Sequence, residues 1–181
     1  WGRCPEQLGA PAYWPWTQAL RGYVEQADRD AVLAEMGAGA RTIARVLPAL
    51  REHLAPLEPA PIVESEESHF QFFDAMVGFL RRSTERAALV IVLDDLHWAD
   101  PASIQLLAFL THELRRLRLL VVGTYRTDEV EDLAAVLDGL RRASERVRLR
   151  GLDRADVGRL AQGVTGVAAA SGLVADLHRL T

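Results

Sequence analysis

The chain has 181 residues, of which 49% are hydrophobic, so it is long enough to bury the core of one globular domain. Its 21 basic and 25 acidic residues give a formal net charge of −4, which argues against a global positive field for nucleic acid or anionic lipid. A single cysteine, Cys4, excludes an internal disulfide framework and favours a cytoplasmic protein, and no run of about eighteen apolar residues predicts a membrane span.

The basic residues are all arginines, and the chain contains no lysine. The phosphate-binding loop GxxxxGK[ST] requires a lysine, so this sequence cannot contain that loop. The first four residues, WGRC, have the character of the end of a strand.

Residues 9–16, GAPAYWPW, contain two prolines and two tryptophans and predict a fixed, non-helical loop. The apolar residues that follow recur at helical spacing and predict one buried helix face: Trp16, Ala19, Leu20, Tyr23 and Val24. Stacking of Trp14 and Trp16 on a nucleotide base is one interpretation. Packing of both rings as anchors for the helix is favoured over it.

Further helical segments follow. Asp28 or Asp30 is expected to cap a short helix that ends at Gly37 and Gly39, and residues 40–54 carry an apolar stripe that Pro48 interrupts. Its members are Ile43, Leu47, Leu50 and Leu54. The acidic, proline-rich segment 55–67 is interpreted as an insertion loop and not as a domain boundary. Residues 68–83 predict an amphipathic helix with a broad, largely covered aromatic face.

Residues Leu89–Leu93 are five apolar residues, three of them β-branched, and predict a strand buried on both faces of a parallel sheet. Asp94 and Asp95 follow at its carboxyl end, where open α/β sheets place their ligands. This is the arrangement of a Walker B motif, in which Asp94 binds Mg²⁺ through water and Asp95 polarises the attacking water. The alternative is that both acids merely end the strand and cap the next helix.

Asp100 and Pro101 predict the start of a helix, with an acid at the cap and proline at the first helical position. Between the strand and this helix, His97 has no metal-ligand partners at the expected spacing, so zinc is not expected. Residues 118–126, RLLVVGTYR, predict a second strand whose polar end lies at the same sheet edge as Asp94, if the two strands are parallel.

The last part of the chain is predicted to be a helix around Leu133–Leu140, an alternating strand over residues 146–150, and a helix capped by Asp153 with Val157 and Leu160 facing inward. Residues 171–180 predict a final helix. Arg146, Arg148 and Arg150 belong to a basic cluster, but no aromatic residues alternate with them, so a solvated strand face is favoured over nucleic-acid binding.

The runs VIVLDDLHWADPAS and VVGTYR, with the amino-terminal GRCPEQLGAPAYWPWTQALR, resemble the ATPase domain of the signal-transduction NTPases with numerous domains. Within that class the chain is similar to the AAA-type module of large LuxR-type regulators and of some bacterial adenylate cyclases and protein kinases. The resemblance implies an α/β, P-loop NTPase-like (ASCE/AAA-type) parallel sheet flanked by helices, with ATP and Mg²⁺ as cofactors.

The resemblance also implies that Thr124 and Arg126 occupy a sensor position at the terminal phosphate, and Arg126 is therefore assigned a catalytic role with Asp95. Arginine suits this position because its planar guanidinium makes bidentate bonds to phosphate oxygens. The alternative for Arg126 is an ordinary ion pair with Asp128 or Glu129.

By the same resemblance, residues 1–152 form a partial ATPase core with a helical insertion at about residues 17–67, and residues 153–181 begin a helical subdomain. The phosphate loop is expected upstream of Trp1, on a strand beside Leu89–Leu93. We therefore expect an incomplete sheet with an unpaired edge at Leu89–Leu93, and a chain that by itself folds poorly or binds nucleotide weakly.

The function implied is an ATP-binding and ATP-hydrolysing regulatory switch in a larger signalling or transcriptional protein. Its expected partners are the nucleotide and either a second copy or other domains of the same protein, with DNA contacted only through an output domain that this chain does not contain. The competing hypothesis is a non-catalytic interaction scaffold derived from an ATPase fold.

Overall fold

Three parallel strands form the centre of the larger part of the chain. The computed structural model describes residues 1–6, 9–47, 66–127, 139, 140, 142 and 144–180. Within them, strands β1 (Gly2–Arg3), β2 (Leu89–Asp94) and β3 (Leu119–Gly123) pair in the order β1-β2-β3. The predicted α/β architecture, an incomplete parallel sheet flanked by helices, is confirmed.

The register of the sheet places β2 between the other two strands. Leu89 of β2 lies opposite Leu119 and Leu93 opposite Gly123, while on its other side Leu93 lies opposite Gly2. β3 pairs along the whole of Leu89–Leu93 on one side of β2, whereas β1 pairs only at its carboxyl end on the other side. The expected unpaired edge is therefore wrong at Leu93, while Leu89–Val92 have no described partner strand on the β1 side. Among the described residues, β1 and β3 are the two edge strands of the sheet.

The helices of this first part surround the sheet in sequence. Their bounds are α1 (Trp14–Val24), α2 (Arg29–Met36), α3 (Ala40–Val46), α4 (Glu66–Arg86) and α5 (Pro101–Thr111). Short 3₁₀ turns occupy Gly37–Gly39, Leu96–Trp98 and Leu114–Arg116. Helix α1 begins at Trp14, so the last three residues of the segment that was predicted to be a loop are helical.

The helix caps follow from local chemistry. Asp28 accepts a hydrogen bond from the Ala31 N–H at the start of α2, and Asp100 accepts one from the Ser103 N–H at the start of α5. Each carboxylate satisfies a backbone donor that has no partner inside its helix. The predictions for Asp100 and for the Asp28 alternative are confirmed.

The core lies between the helices and one face of the sheet. Its largest fully buried side chains come from α1 to α5 and β2: Trp16, Phe72, Phe79, Met36, Ile43, Leu47, Met76, Leu80, Leu93 and Ile104. The Trp16 indole N–H donates to the Ser103 carbonyl at 3.1 Å, so this ring joins α1 to α5. The packing interpretation of Trp16 is confirmed, whereas Phe70, on the outer side of α4, is exposed.

The opposite face of the sheet is open in the described structure. Val90, Leu120 and Val122 are 62%, 57% and 39% exposed, while Ile91 and Leu93 on the other face are buried. The expectation that β2 is buried on both faces is therefore wrong. Successive side chains of a strand point to opposite faces, and no described element covers the second one.

Residues 145–181 form a separate compact unit from residues 1–144. The smaller unit contains α6 (Arg154–Thr165), capped by Asp153 as predicted, and α7 (Ser171–Leu180). The predicted strand at residues 146–150 is wrong: this segment has no secondary structure, because alternation alone supplies no partner strand. Leu160, expected to face inward, is 58% exposed.

Some predictions fall on residues outside the described ranges. These are the interruption at Pro48, the connector up to residue 65, and most of the helix predicted around Leu133–Leu140, of which Leu140 is described and buried. Among the helices that the structure describes, none has the length and apolar character needed to span a membrane.

Candidate functional site

The carboxyl ends of β2 and β3 bring two aspartates and a threonine together. The Thr124 hydroxyl donates to Asp94 Oδ1 at 2.5 Å and accepts the Asp95 backbone N–H at 3.0 Å. One hydroxyl thus fixes the side chain of the first acid and the backbone of the second. Parallel strands end at the same edge of a sheet, so the predicted grouping follows from the register.

Backbone hydrogen bonds hold this edge in place from both neighbouring strands. The Thr124 N–H donates to the Leu93 carbonyl at 3.0 Å, and the Leu96 N–H donates to the Thr124 carbonyl at 2.8 Å. On the other side, the Cys4 N–H donates to the Asp94 carbonyl at 2.9 Å. The main chain around Asp94 is therefore restrained while its carboxylate remains at the surface of the sheet edge.

Asp95 adopts a left-handed backbone conformation, with φ 59° and ψ 45°. Such a conformation is uncommon for residues other than glycine, although aspartate tolerates it better than most. Asp95 Oδ2 accepts a hydrogen bond from Arg3 Nε at 2.8 Å. The two acids thus have partners on opposite neighbouring strands: Asp94 is bound from the β3 side and Asp95 from the β1 side.

The oxygen atoms at this edge fit a hydrated Mg²⁺ ion. Asp94 Oδ2 accepts no hydrogen bond from any described residue and is available to water or to a cation. Among the described residues no group of three or more His, Cys, Asp or Glu side chains is arranged to bind a metal. Magnesium does not need such a group, because it commonly binds one or two carboxylates, several waters and the phosphates of a substrate.

The buried Cys4 thiol lies close enough to the acids for their charges to affect its pKa. The thiol is fully buried, and its pKa is raised from its ordinary value near 9 to about 12, first by burial and then by the charges of Asp100, Asp95 and Asp94. The three carboxylates bring negative charge to this end of the sheet, and Arg3 offsets part of it. A cation is the ligand that the remaining negative charge favours.

Arg126 lies in the loop after β3, beside the turn that follows β2. Its backbone N–H donates to His97 Nδ1 at 3.4 Å, and its guanidinium carbon lies 6.0 Å from the centre of the Trp98 ring. This distance allows a cation–π interaction. Contact of Arg126 with a phosphate stays a prediction, and the alternative partners Asp128 and Glu129 are outside the described residues.

Asp100 joins the amino-terminal loop to the same region. Its Oδ1 accepts the backbone N–H groups of Tyr13 at 3.2 Å and of Ser103 at 2.9 Å, and its Oδ2 accepts the Ser103 hydroxyl at 2.6 Å. This carboxylate therefore connects the amino ends of α1 and α5. Both of its oxygens already accept hydrogen bonds from the protein, so we assign Asp100 a structural role.

Arg3 was not among the predicted site residues, although it forms an ion pair with Asp95. The sequence showed only an arginine at the predicted end of a strand. It could be assigned to the site only with the knowledge that β1 pairs with β2. The register places Arg3 directly opposite Asp94.

An apolar pocket lies at the other end of β2, away from the acids. The residues that line it are Trp1, Ala19, Leu20, Tyr23, Phe79, Leu80, Leu89, Val90 and Ile91. None of them is charged, so the pocket does not fit a phosphate. The chain also has no lysine for a phosphate-binding loop, and its residues therefore fit the magnesium part of a nucleotide site but not the phosphate cradle.

Comparison with known proteins identifies the family. The family model described as AAA ATPase domain matches residues 1–122, which are 122 of the 181 residues. No curated protein and no solved structure matches the chain. The matched residues contain β1 and β2, both Asp94 and Asp95, and most of β3. The chain therefore belongs to the AAA ATPase domain family.

Proposed function

We propose that the chain is part of an ATP-binding and ATP-hydrolysing switch domain in a multidomain bacterial signalling or transcriptional regulator. The observation that carries the proposal is the Thr124 hydroxyl, which links Asp94 and Asp95 at the carboxyl edge of a parallel sheet in a member of the AAA ATPase domain family. Magnesium bound there would neutralise charge on the nucleotide phosphates.

Each side chain has a distinct role in this proposal. Asp94 holds the hydrated magnesium ion through its available oxygen, and Asp95 accepts a proton from the attacking water. Thr124 sits between the two acids and orients Asp94, and Arg126 is the cationic group that contacts the terminal phosphate. The alignment of Asp94 by Thr124 supports this division, since both are held by the same pair of strands.

The lysine-free sequence supports weak nucleotide binding by the chain alone. Other residues must supply the phosphate cradle, and we propose that they come from a second copy or from other parts of the same protein. Regulation of transcription would then act through a separate output domain that contacts DNA.

A non-catalytic interaction scaffold is the second candidate. The open sheet face formed by Val90, Leu120 and Val122 supports it, since exposed apolar groups of this kind commonly mark contact surfaces. A scaffold requires the sheet but not the carboxylates, so substitutions of the acids separate the two candidates.

Calorimetric titration of the chain with ATP and Mg²⁺ tests the proposal. We expect weak binding that depends on magnesium, and Asp94→Ala should weaken it at least about tenfold, as loss of a metal-binding group commonly does. Asp95→Asn should abolish any hydrolysis, because it removes the base that accepts the proton of the attacking water.

Glu113→Gln is the matched control, because Glu113 forms an exposed ion pair with Arg81 away from the acids. Circular dichroism should establish that each sample is folded. Binding that is indifferent to Asp94, or hydrolysis that survives Asp95→Asn, would contradict the assigned roles. Absence of binding by a folded chain would favour the scaffold.

A further inference from the structure

Arg3 combines a fixed backbone with an exposed side chain. Its position opposite Asp94 in the β1–β2 pairing holds the main chain, and its backbone N–H donates to Gln18 Oε1 of α1 at 3.1 Å. The Arg3 side chain is nevertheless 67% exposed, whereas that of Asp95 is 18% exposed. The guanidinium can therefore leave Asp95 without moving the strand that carries it.

We propose that Arg3 is a positioning residue that competes with a divalent cation for the Asp94–Asp95 pair. In the cation-free chain, the Arg3 guanidinium holds the Asp95 carboxylate toward β1. Cation binding weakens this ion pair and makes the carboxylate available to water. The inference rests on the proposed function and adds a regulated step to it. Arg3 sets both the affinity for the cation and whether the Asp95 carboxylate is paired or available to water.

The charges support this coupling. Asp94, Asp95 and Arg3 together carry a net charge of −1, and the two aspartates alone carry −2. A guanidinium at 2.8 Å from Asp95 Oδ2 thus compensates one of the two negative charges that would attract a cation. At a separation of roughly 6 Å in a water-like medium, repulsion between a monovalent and a divalent cation corresponds to about a tenfold change in affinity.

Hydrogen bonding adds a second reason. Asp95 Oδ2 already accepts the Arg3 Nε–H, so this oxygen has fewer lone pairs left to accept a hydrogen bond from water. Asp94 has the opposite arrangement, with its partner on the β3 side and one oxygen available. The first acid is thus ready for a cation while the second is occupied until Arg3 leaves.

Thermodynamic linkage makes the inference testable from either side. If Arg3 weakens cation binding by a given factor, the cation must weaken the Arg3–Asp95 pair by the same factor. An ordinary surface ion pair with no role at the site would show neither effect, since such pairs contribute little to stability.

The first experiment uses the unmodified chain, so it does not depend on a variant that folds. Arginine Nε–Hε resonances are followed by ¹⁵N NMR during titration with Mg²⁺, and Asp95→Asn defines the shift of the unpaired Arg3. We expect the Arg3 resonance to move toward this shift and to exchange faster with water as Mg²⁺ is added. The Arg81 resonance serves as the internal control, because its partner Glu113 lies outside the site.

The second experiment measures Mn²⁺ binding by electron paramagnetic resonance. We expect Arg3→Gln to bind Mn²⁺ about tenfold more tightly than the unmodified chain, and Arg3→Lys, which keeps the positive charge, to stay much closer to it. Arg81→Gln, which breaks an ion pair between similarly exposed residues, should leave the affinity unchanged. Asp94→Asn should abolish the binding in every background.

The outcomes separate the inference from the proposed function. Tighter binding by Arg3→Gln, or binding seen only in that variant, supports the competition. Binding that requires Asp94 but ignores Arg3, with an unchanged Arg3 resonance, overturns the competition and leaves the proposed function in place. Absence of divalent-cation binding in both the unmodified chain and Arg3→Gln overturns the competition together with the proposed magnesium site.

Discussion

Glu35 and the Asp94–Asp95 pair are acids of the same unit with opposite surroundings. Glu35 is 5% exposed, and its carboxylate accepts hydrogen bonds from Tyr23 at 2.7 Å, Ser83 at 2.9 Å and Arg86 at 3.1 Å. Asp94 has one side-chain partner and an oxygen that no described residue uses. The difference separates a carboxylate that holds helices together from one that retains capacity for a ligand.

The surroundings of Glu35 explain why it is structural. Its three donors belong to α1 and α4, and Arg82 of α4 also donates to the backbone carbonyls of Glu35 and Met36 at the end of α2. Those carbonyls have no partner inside their own helix. The cluster therefore attaches α2 to α1 and α4, whereas the Asp94–Asp95 pair attaches only to the strands beside it.

The largest expected effect is on stability, from Glu35→Ala. This change removes the acceptor of the half-buried Tyr23 hydroxyl and the ion-pair partner of Arg86, while Ser83 Oγ keeps the Phe79 carbonyl as acceptor. We therefore expect the free energy of unfolding to fall by about 1–3 kcal/mol. Chemical denaturation measures this loss. Mn²⁺ binding should be unchanged in the folded fraction, because Glu35 lies outside the cation site.

Glu35→Gln is the control for this prediction. Its amide oxygen can still accept from the two hydroxyls, so it should lose clearly less stability than Glu35→Ala. Equal losses in the two variants would mean that the charge, and not the hydrogen-bond acceptor, joins the helices.

A smaller effect is expected from Thr124→Val, which keeps the shape of the side chain and removes its hydroxyl. The variant loses the hydrogen bonds to the Asp94 carboxylate and from the Asp95 N–H, so we expect a stability loss of about 1 kcal/mol and Mn²⁺ binding weakened several-fold. Denaturation and Mn²⁺ titration measure the two effects. Thr124→Ser retains the hydroxyl and should restore most of the affinity; failure of that rescue would argue against the linking role.

The smallest effect at neutral pH concerns Cys4. The pKa of its thiol is raised to about 12 in the folded chain, so between pH 9 and 12 the unfolded chain releases this proton more readily and stability falls as pH rises. We expect a steeper decline above pH 9 in the unmodified chain than in Cys4→Ala, and no difference in slope near pH 7. Parallel declines would show that folding does not raise the pKa of the thiol. Tyr13 and Tyr23, whose pKa values are also raised by burial, are common to both chains.

Local patterns predicted the parts of the fold that depend on neighbouring residues. The apolar runs of β2 and β3 and the caps at Asp28, Asp100 and Asp153 could be identified because a strand needs a hydrophobic run and a cap needs one carboxylate. The grouping of Asp94 with Thr124 followed from parallel strands ending at one edge.

Features that depend on distant residues could not be found in this way. The Arg3–Asp95 pair joins positions 92 residues apart, and Glu35 and Ser83 are 48 residues apart. The only sign of the structural role of Glu35 in the sequence was its place on the apolar face of α2, between Val32 and Met36. The strand predicted at residues 146–150 was wrong because a strand also needs a distant partner. Its residues alternate as in a strand, but no described strand pairs with them.

The Asp100 carboxylate also has a consequence for folding kinetics. Helix α1 has no side-chain cap of its own, and its amino end is completed by Asp100 and by the Trp16 bond to Ser103, each 87 residues away. Contacts between such distant positions are slow to form, so we expect α1 to dock late. Trp16→Phe should then accelerate unfolding with little change in the folding rate, which stopped-flow fluorescence can measure. Equal effects on the two rates would place α1 in the folding nucleus. If α1 docks late, β1 with Arg3 would be among the last elements to pair with β2, after Asp94 and Asp95 are already in place.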